Sequence, residues 1–137
     1  MFLLDTNVIS ELRRPDKAHR NVVAWAKATP AANFFISAIS ILEIELGARL
    51  IERKDTAQGA VLRTWIDSQI LARFEGRILA VDTAVAQRCA LHVPNPRAER
   101  EALIAATALV HGLTIVTRNV GDFEPTGVPL LNPWGDA

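Results

Sequence analysis

The stretch Met1-Phe2-Leu3-Leu4-Asp5-Thr6-Asn7-Val8-Ile9-Ser10-Glu11-Leu12 decides how the chain folds. Its apolar opening reads as a buried strand, and the helix-capping residues Thr6 and Asn7 follow Asp5 at once. A carboxylate is thereby set at the carboxyl edge of a strand and against a helix N-terminus, where open α/β sheets build their sites. Two readings of Asp5 stand at this point: a simple helix cap, or a functional acid.

Outward from that stretch, strand-like and helix-like segments alternate. Pro15-Asp16 breaks the pattern, and Val22, Val23, Trp25 and Ala26 recur at helical spacing up to Thr29-Pro30. Asn33 to Ile36 reads as a second strand, Arg77 to Val81 as a third, Leu113 to Thr117 as a fourth and Val128 to Leu131 as a short last one. The spacing predicts helices from about Ser40 to Arg53, from Thr56 to Leu71, from an Asp82 N-cap to Leu91, and from Arg97 to His111 with Gly112 as its stop. The prolines of Val93-Pro94-Asn95-Pro96 make a loop. Strands separated by helices are βαβ units, so the expected fold class is α/β, a single domain over residues 1–137 with a parallel sheet covered on both faces.

Composition sets the outer limits. A chain of 137 residues, 50% of them hydrophobic, can bury one core without staples. The lone Cys89 cannot form an internal disulfide, and no leader precedes the first strand, which points to the cytoplasm. No apolar run approaches the roughly 18 residues of a membrane span. Fifteen basic and fifteen acidic residues cancel, which argues against a generic basic nucleic-acid binder, so any such contact must be local.

The Ser40–Arg53 helix is informative, because at about 100° per residue its charges divide into two groups. Glu45, Arg49 and Glu52 share a polar face. Glu43 lies between the arc of Ile39, Leu42, Leu46 and Leu50 and that of Ile44, Ala48 and Ile51, so it is expected to point inward. Asp5 and Arg118-Asn119 follow strands, and Glu43 and Glu101 lie early in helices packed beside those strands, so all converge on one edge. Burying clustered acids is costly, and a divalent cation relieves both the desolvation and the repulsion. Carboxylate ligands suit Mg²⁺ or Mn²⁺ rather than zinc, and His19, His92 and His111 have no metal-ligand spacing. The competing readings remain open: Ser40-Ile41-Leu42-Glu43 also fits a capping box, and Glu101 also suits a helix's positive end.

Four ordered motifs carry a resemblance that spans nearly the whole chain: Phe2 to Ser10, Ile36 to Glu43, Leu103 to Ala108, and Thr117-Arg118-Asn119. Together they resemble PIN-domain ribonucleases, and the VapC and FitB branch in particular, with Asn132-Pro133-Trp134 typical of FitB-like members. The resemblance implies a five-stranded parallel sheet, Mg²⁺-dependent hydrolysis of a tRNA or another structured RNA, and a homodimer. It also implies a VapB-like antitoxin that covers the site and binds operator DNA.

By position the resemblance makes Asp5, Glu43 and Glu101 the acidic metal ligands. Glu101 stands where the family usually has Asp, and Asn119 takes the fourth acidic place, supplying a carbonyl but no charge; nearby Asp122 is the alternative acid there, or a turn residue before Phe123. Thr6, Thr117 and Arg118 are candidate water or phosphate contacts, as are Arg97, Arg100 and the Arg13, Arg14, Lys17, Arg20 cluster. Glu101 and Asn119 also favour a rival reading, a catalytically weakened PIN-fold module that acts by binding antitoxin or RNA. A flavodoxin-like phosphoacceptor is the other rival, but the chain has no glycine-rich phosphate loop, and that reading leaves Glu43 unexplained.

Overall fold

The computed structural model describes residues 1–92 and 99–135. Five parallel strands form one sheet in the order β3-β2-β1-β4-β5, namely β1 (Phe2–Leu4), β2 (Phe34–Ser37), β3 (Ile78–Leu79), β4 (Thr114–Val116) and β5 (Leu130–Leu131). The helices are α1 (Thr6–Leu12), α2 (Arg20–Ala28), α3 (Ala38–Lys54), α4 (Thr56–Trp65), α5 (Thr83–His92), α6 (Glu99–His111) and α7 (Val120–Phe123). The α/β class and the alternation of strands and helices are as the sequence predicts. None of the described helices is long and apolar enough to cross a membrane. The predicted Val93–Pro96 loop lies outside the described residues.

Successive residues of the central strands bury opposite ways, which explains why they read as unbroken apolar runs. Leu4 and Val116 join Val8, Ile9, Phe34, Ile36, Ile44, Ile66 and Ile70 in one layer, while Leu3 and Ile115 join Ile104, Ala105, Ala108, Leu113, Phe123 and Val128 in the other. Small residues let α6 lie close to the sheet, with Ala102, Ala105, Ala106 and Ala108 all buried. On the first face, Trp25 stands edge-on to Phe2 with ring centroids 5.3 Å apart and is tilted against Phe34, which fixes α2 to the strands.

Three expectations need correction. Helix α3 begins at Ala38, because Ser37 Oγ accepts from Ile39 N at 3.0 Å and caps it; Ser40 is therefore inside the first turn and not a cap. Of the two apolar arcs of α3, Leu42, Leu46 and Leu50 do not face the core, being 44%, 40% and 57% exposed, and in the other Ile44 is buried while Ile51 is 40% exposed. Apolar periodicity marks a face that seeks cover but not what covers it. The outer strands are shorter than predicted, since Arg77, Ala80, Val81 and Val128 lie outside the ladders. The Thr56–Leu71 helix does reach Leu71, but its last turn, Ile66–Leu71, is a π-helix that carries Ile66 and Ile70 into the core.

The α3–α4 corner turns on a single residue. Asp55 N donates to Ile51 O at 2.8 Å and closes α3, while its Oδ1 accepts from Gln58 N at 3.1 Å and opens α4. Gly59 then passes so near α3 that an added Cβ would stand 2.7 Å from Glu52 Cβ and 2.8 Å from Glu52 Cα, whereas a Cβ at Gly47 would meet nothing within 4 Å. The two glycines should respond oppositely to alanine in thermal melts. Gly47→Ala should raise Tm through a gain of about 0.5–1 kcal/mol in helix propensity. Gly59→Ala should lower it, because overpacking against backbone costs ~1–3 kcal/mol or more and outweighs that gain. A rise in both would mean that the corner tolerates separation of the helices.

Candidate functional site

Strands β1 and β4 are neighbours, with Leu4 opposite Val116, yet the chain travels from β1 to β2 on one side and reaches β4 on the other. The crevice at their carboxyl ends is the topological switch point of the sheet. Asp5 N donates to Val116 O at 2.9 Å, which carries the pairing one residue beyond β1. Asp5 Oδ1 accepts from Thr6 N at 2.8 Å, so this residue does cap α1. Its Oδ2 accepts from Thr117 Oγ1 at 2.8 Å and from Asn7 Nδ2 at 3.3 Å. Asp5 is only 7% exposed. Burial pushes its pKa above the ordinary value; hydrogen bonds from Thr117 and the Thr6 N–H oppose the rise, and the charges of Glu43 and Asp122 add to it.

Glu43 reaches this crevice from the first turns of α3. Thr6 Oγ1 donates to Glu43 Oε1 at 2.6 Å and lies 3.0 Å from the buried Ser40 Oγ. With Ser37 as the cap, the capping-box reading of Glu43 falls away. Glu45, two residues on, turns toward α4 and accepts from both Arg63 Nη1 and Nη2, at 2.8 and 2.7 Å. The Arg63 guanidinium holds Glu45 below the usual carboxylate range. The expected split between the two glutamates is therefore present, although Glu45 is bonded to a neighbouring helix and not simply solvated.

Glu101 lies in the first turn of α6, half-buried. Burial raises its pKa, and the charges of Asp122, Asp5 and Glu43 raise it further. Asp122, exposed in the first turn of α7, thus acts electrically on both Asp5 and Glu101. Asn119 is brought close by its backbone, whose N–H donates to Thr117 Oγ1 at 3.0 Å, but its exposed side chain makes no cap bond to α7. Asp122 brings a charge near Asp5 and Glu101, whereas Asn119 is neutral. Thr117 is fully buried, donating to Asp5 and accepting from Asn119 N and, at 3.3 Å, from Asn7 Nδ2.

The sequence reasoning took Asn7 and Ser40 only as helix-capping residues, yet both belong to the hydrogen-bond network of the site. Asn7 joins both strand ends, since its Oδ1 also accepts from Arg118 N at 3.4 Å. Its signal was available in the Asp-Thr-Asn triplet, where the third residue can return its amide to the carboxylate of the extended N-cap two positions back. The Arg118 guanidinium lies 5.4 Å from the centroid of the Trp134 ring, and Trp134 is itself held by Asn21 Nδ2 on its carbonyl at 3.1 Å and by Asn132 Oδ1 on its N–H at 2.9 Å. The Asn-Pro-Trp segment therefore supports a cation at the rim of the crevice.

The donor set suits a hard divalent ion, because it is all carboxylate oxygen and carries an excess of negative charge. Among the described residues, no three acidic, histidine or cysteine side chains stand close enough to form a ready-made cage. Mg²⁺ does not require one, since it commonly keeps several waters and takes one or two carboxylates directly.

The raised Glu101 has a consequence in the absence of metal. The folded state holds that proton more tightly than the unfolded chain, so stability falls as pH rises from the ordinary carboxylate value through the raised one. Glu101→Gln removes this loss. In EDTA, the Tm of Glu101→Gln minus that of the wild type should grow between pH 4 and pH 7.5; a difference that does not change with pH would show that the fold does not raise the Glu101 pKa.

Comparison with known proteins agrees with this geometry. The family model described as "PIN domain" matches residues 2–125. Toxin FitB of Neisseria gonorrhoeae is 39% identical over 142 residues, covering 99% of this chain and 100% of that protein. A VapC ribonuclease of Sinorhizobium fredii is 31% identical over 145 residues, covering 100% of both chains. A solved FitAB complex bound to a DNA fragment matches with a TM-score of 0.90 at 36% identity, over 100% of this chain and 98% of that one. With the sheet order, the switch-point acids and these full-length similarities in agreement, the chain belongs to the PIN-domain family.

Proposed function

We propose that the chain is a metal-dependent endoribonuclease that hydrolyses RNA phosphodiester bonds in the cytoplasm, and the toxin of a type II toxin–antitoxin pair. The observation that carries this reading is that Asp5, Glu43, Glu101 and Asp122, from distant parts of the chain, come near enough at the switch point of the sheet for their charges to act on one another. Mutual repulsion would disperse such a set unless function required it. The full-length similarity to a toxin and to a ribonuclease supports the reaction class.

Asp5, Glu43, Glu101 and Asp122 would hold Mg²⁺ or Mn²⁺, which when bound supplies charge stabilisation at the phosphate and lowers the pKa of an attacking water. The chain's other residues orient and bind. Thr117 and Asn7 fix Asp5, Thr6 fixes Glu43, and Asn119 supplies an amide at the mouth of the crevice. Arg118, presented on Trp134, is the phosphate contact closest to these residues in the chain. The exposed Leu42, Leu46 and Leu50 stripe would be covered by a second copy of the chain. The antitoxin's place would be a cleft of about 440 Å³ floored by Leu4, Phe34, Trp65 and Ile70 and lined by Arg13 and Arg73, which suits an apolar segment bearing acids. DNA would be bound through the antitoxin, in keeping with the DNA-bound FitAB complex.

Asp5→Ala should abolish Mg²⁺-dependent cleavage of a structured RNA and leave the fold intact by circular dichroism; cleavage equal to wild type would remove Asp5 from the site. Glu101 separates the enzyme from the weakened-module reading. Its extra methylene displaces the carboxylate by on the order of 1 Å relative to aspartate, a misplacement that can cost ~100-fold in rate. Glu101→Asp should therefore cleave faster than wild type across a Mg²⁺ and Mn²⁺ titration. A slower variant would mean that the backbone has adapted to glutamate, and no cleavage by either protein at saturating metal would favour a module that acts by binding.

A further inference from the structure

Glu43 is held on both oxygens. Thr6 Oγ1 donates to Oε1 at 2.6 Å, and Arg100 Nη1 lies 3.8 Å from Oε2. Among the ion pairs of the described residues, this is the one that brings a cation to the acidic set; the others join Arg49 to Glu52 and Arg63 to Glu45 and Asp67. Arg118, the nearest alternative in the chain, has its guanidinium over Trp134. Arg100 and Glu101 are consecutive in the first turn of α6, so they project about 100° apart. One is turned toward Glu43 on α3, and the other feels the charges of Asp122 and Asp5. A single helical turn therefore delivers both an acid to the site and the cation that offsets it.

We propose that Arg100 is a built-in counter-ion of the site: it pairs with Glu43 while no divalent ion is bound, and competes with that ion for the carboxylate. The contact suits exchange. It is long, and the side chains are 53% and 28% exposed, so water screens it and the guanidinium can leave. A dication approaches carboxylate oxygen to about 2.1 Å with twice the charge, and so displaces a guanidinium held at a greater distance. Arg100 would thus do two opposing things. It steadies the empty site against its own repulsion, and it weakens the metal affinity that the acids would otherwise have.

This inference rests on the metal-binding reading of the acidic set, and calorimetry of Mn²⁺ with the full-length protein separates the two. Arg100→Ala should tighten Mn²⁺ binding about three- to tenfold, and Arg100→Lys should stay near wild type because the charge is kept. In a Glu43→Gln background the same Arg100→Ala change should alter affinity less than about twofold, since the carboxylate being competed for is gone. Melts in EDTA supply a readout without metal: Arg100→Ala should lower Tm, and by less when Glu43 is already Gln. Unchanged or weaker Mn²⁺ binding by Arg100→Ala overturns the proposal. So does an equal gain in the Glu43→Gln background, which would show only a general effect of net charge. A wild-type protein that binds no Mn²⁺ removes the metal-binding reading itself, and this inference with it.

Discussion

The hydrogen bond from Thr117 Oγ1 to Asp5 Oδ2 joins the ends of the two central strands at the point where the sheet changes direction. It extends the β1–β4 pairing with side chains beyond the bond from Asp5 N to Val116 O, while Thr117 N bonds to Leu131 O on β5. A carboxyl this buried would be costly if left unsatisfied. Thr117, Asn7 and the Thr6 N–H satisfy it, and each of these donors belongs to a segment that the strands put in place. If β1 and β4 were not adjacent, Asp5 would lose its chief side-chain donor, and the turn bearing Asn119 and Asp122 would lie elsewhere.

The rest of the fold supplies what this corner lacks. Two apolar layers, one beneath α1 to α4 and one beneath α6 and α7, bury strand residues on both faces and fix the directions in which the helices leave the sheet. Helix α6 presents Glu101 from its first turn, where the positive helix end partly offsets the carboxylate, whereas Glu43 lies one turn further into α3. Burial first, and the neighbouring acids second, still raise the pKa of Asp5 and Glu101. Stability held in the layers and strain held in the site is a common division in proteins whose function needs clustered charge.

Much of this was legible in the sequence because it depends on local pattern. A strand ending in Asp-Thr-Asn, the different helical phases of Glu43 and Glu45, and the Asp82 cap, whose Oδ1 accepts from Val85 N at 2.9 Å, all involve residues a few positions apart. What escaped depends on partners far along the chain. Ser40 looked like a cap until Ser37 was seen to hold that place, and the Leu42, Leu46 and Leu50 stripe looked like core because periodicity alone does not separate a protein interior from a surface awaiting a partner. Asn7 and Arg100 owe their roles to residues over fifty positions away, Thr117 and Glu43 respectively. Asp122 stood between an acid of the site and a turn residue before Phe123, and only the folded chain brings its charge near Asp5 and Glu101.

The central claim is that the four acids form one divalent-metal site at the β1–β4 switch point. Anomalous diffraction at the manganese edge, from crystals grown with Mn²⁺, tests it most directly. The account predicts a peak in the crevice among Asp5, Glu43, Glu101 and Asp122, with waters completing its coordination. Saturating Mn²⁺ that gives no peak there, or gives its peak elsewhere on the protein, would contradict it.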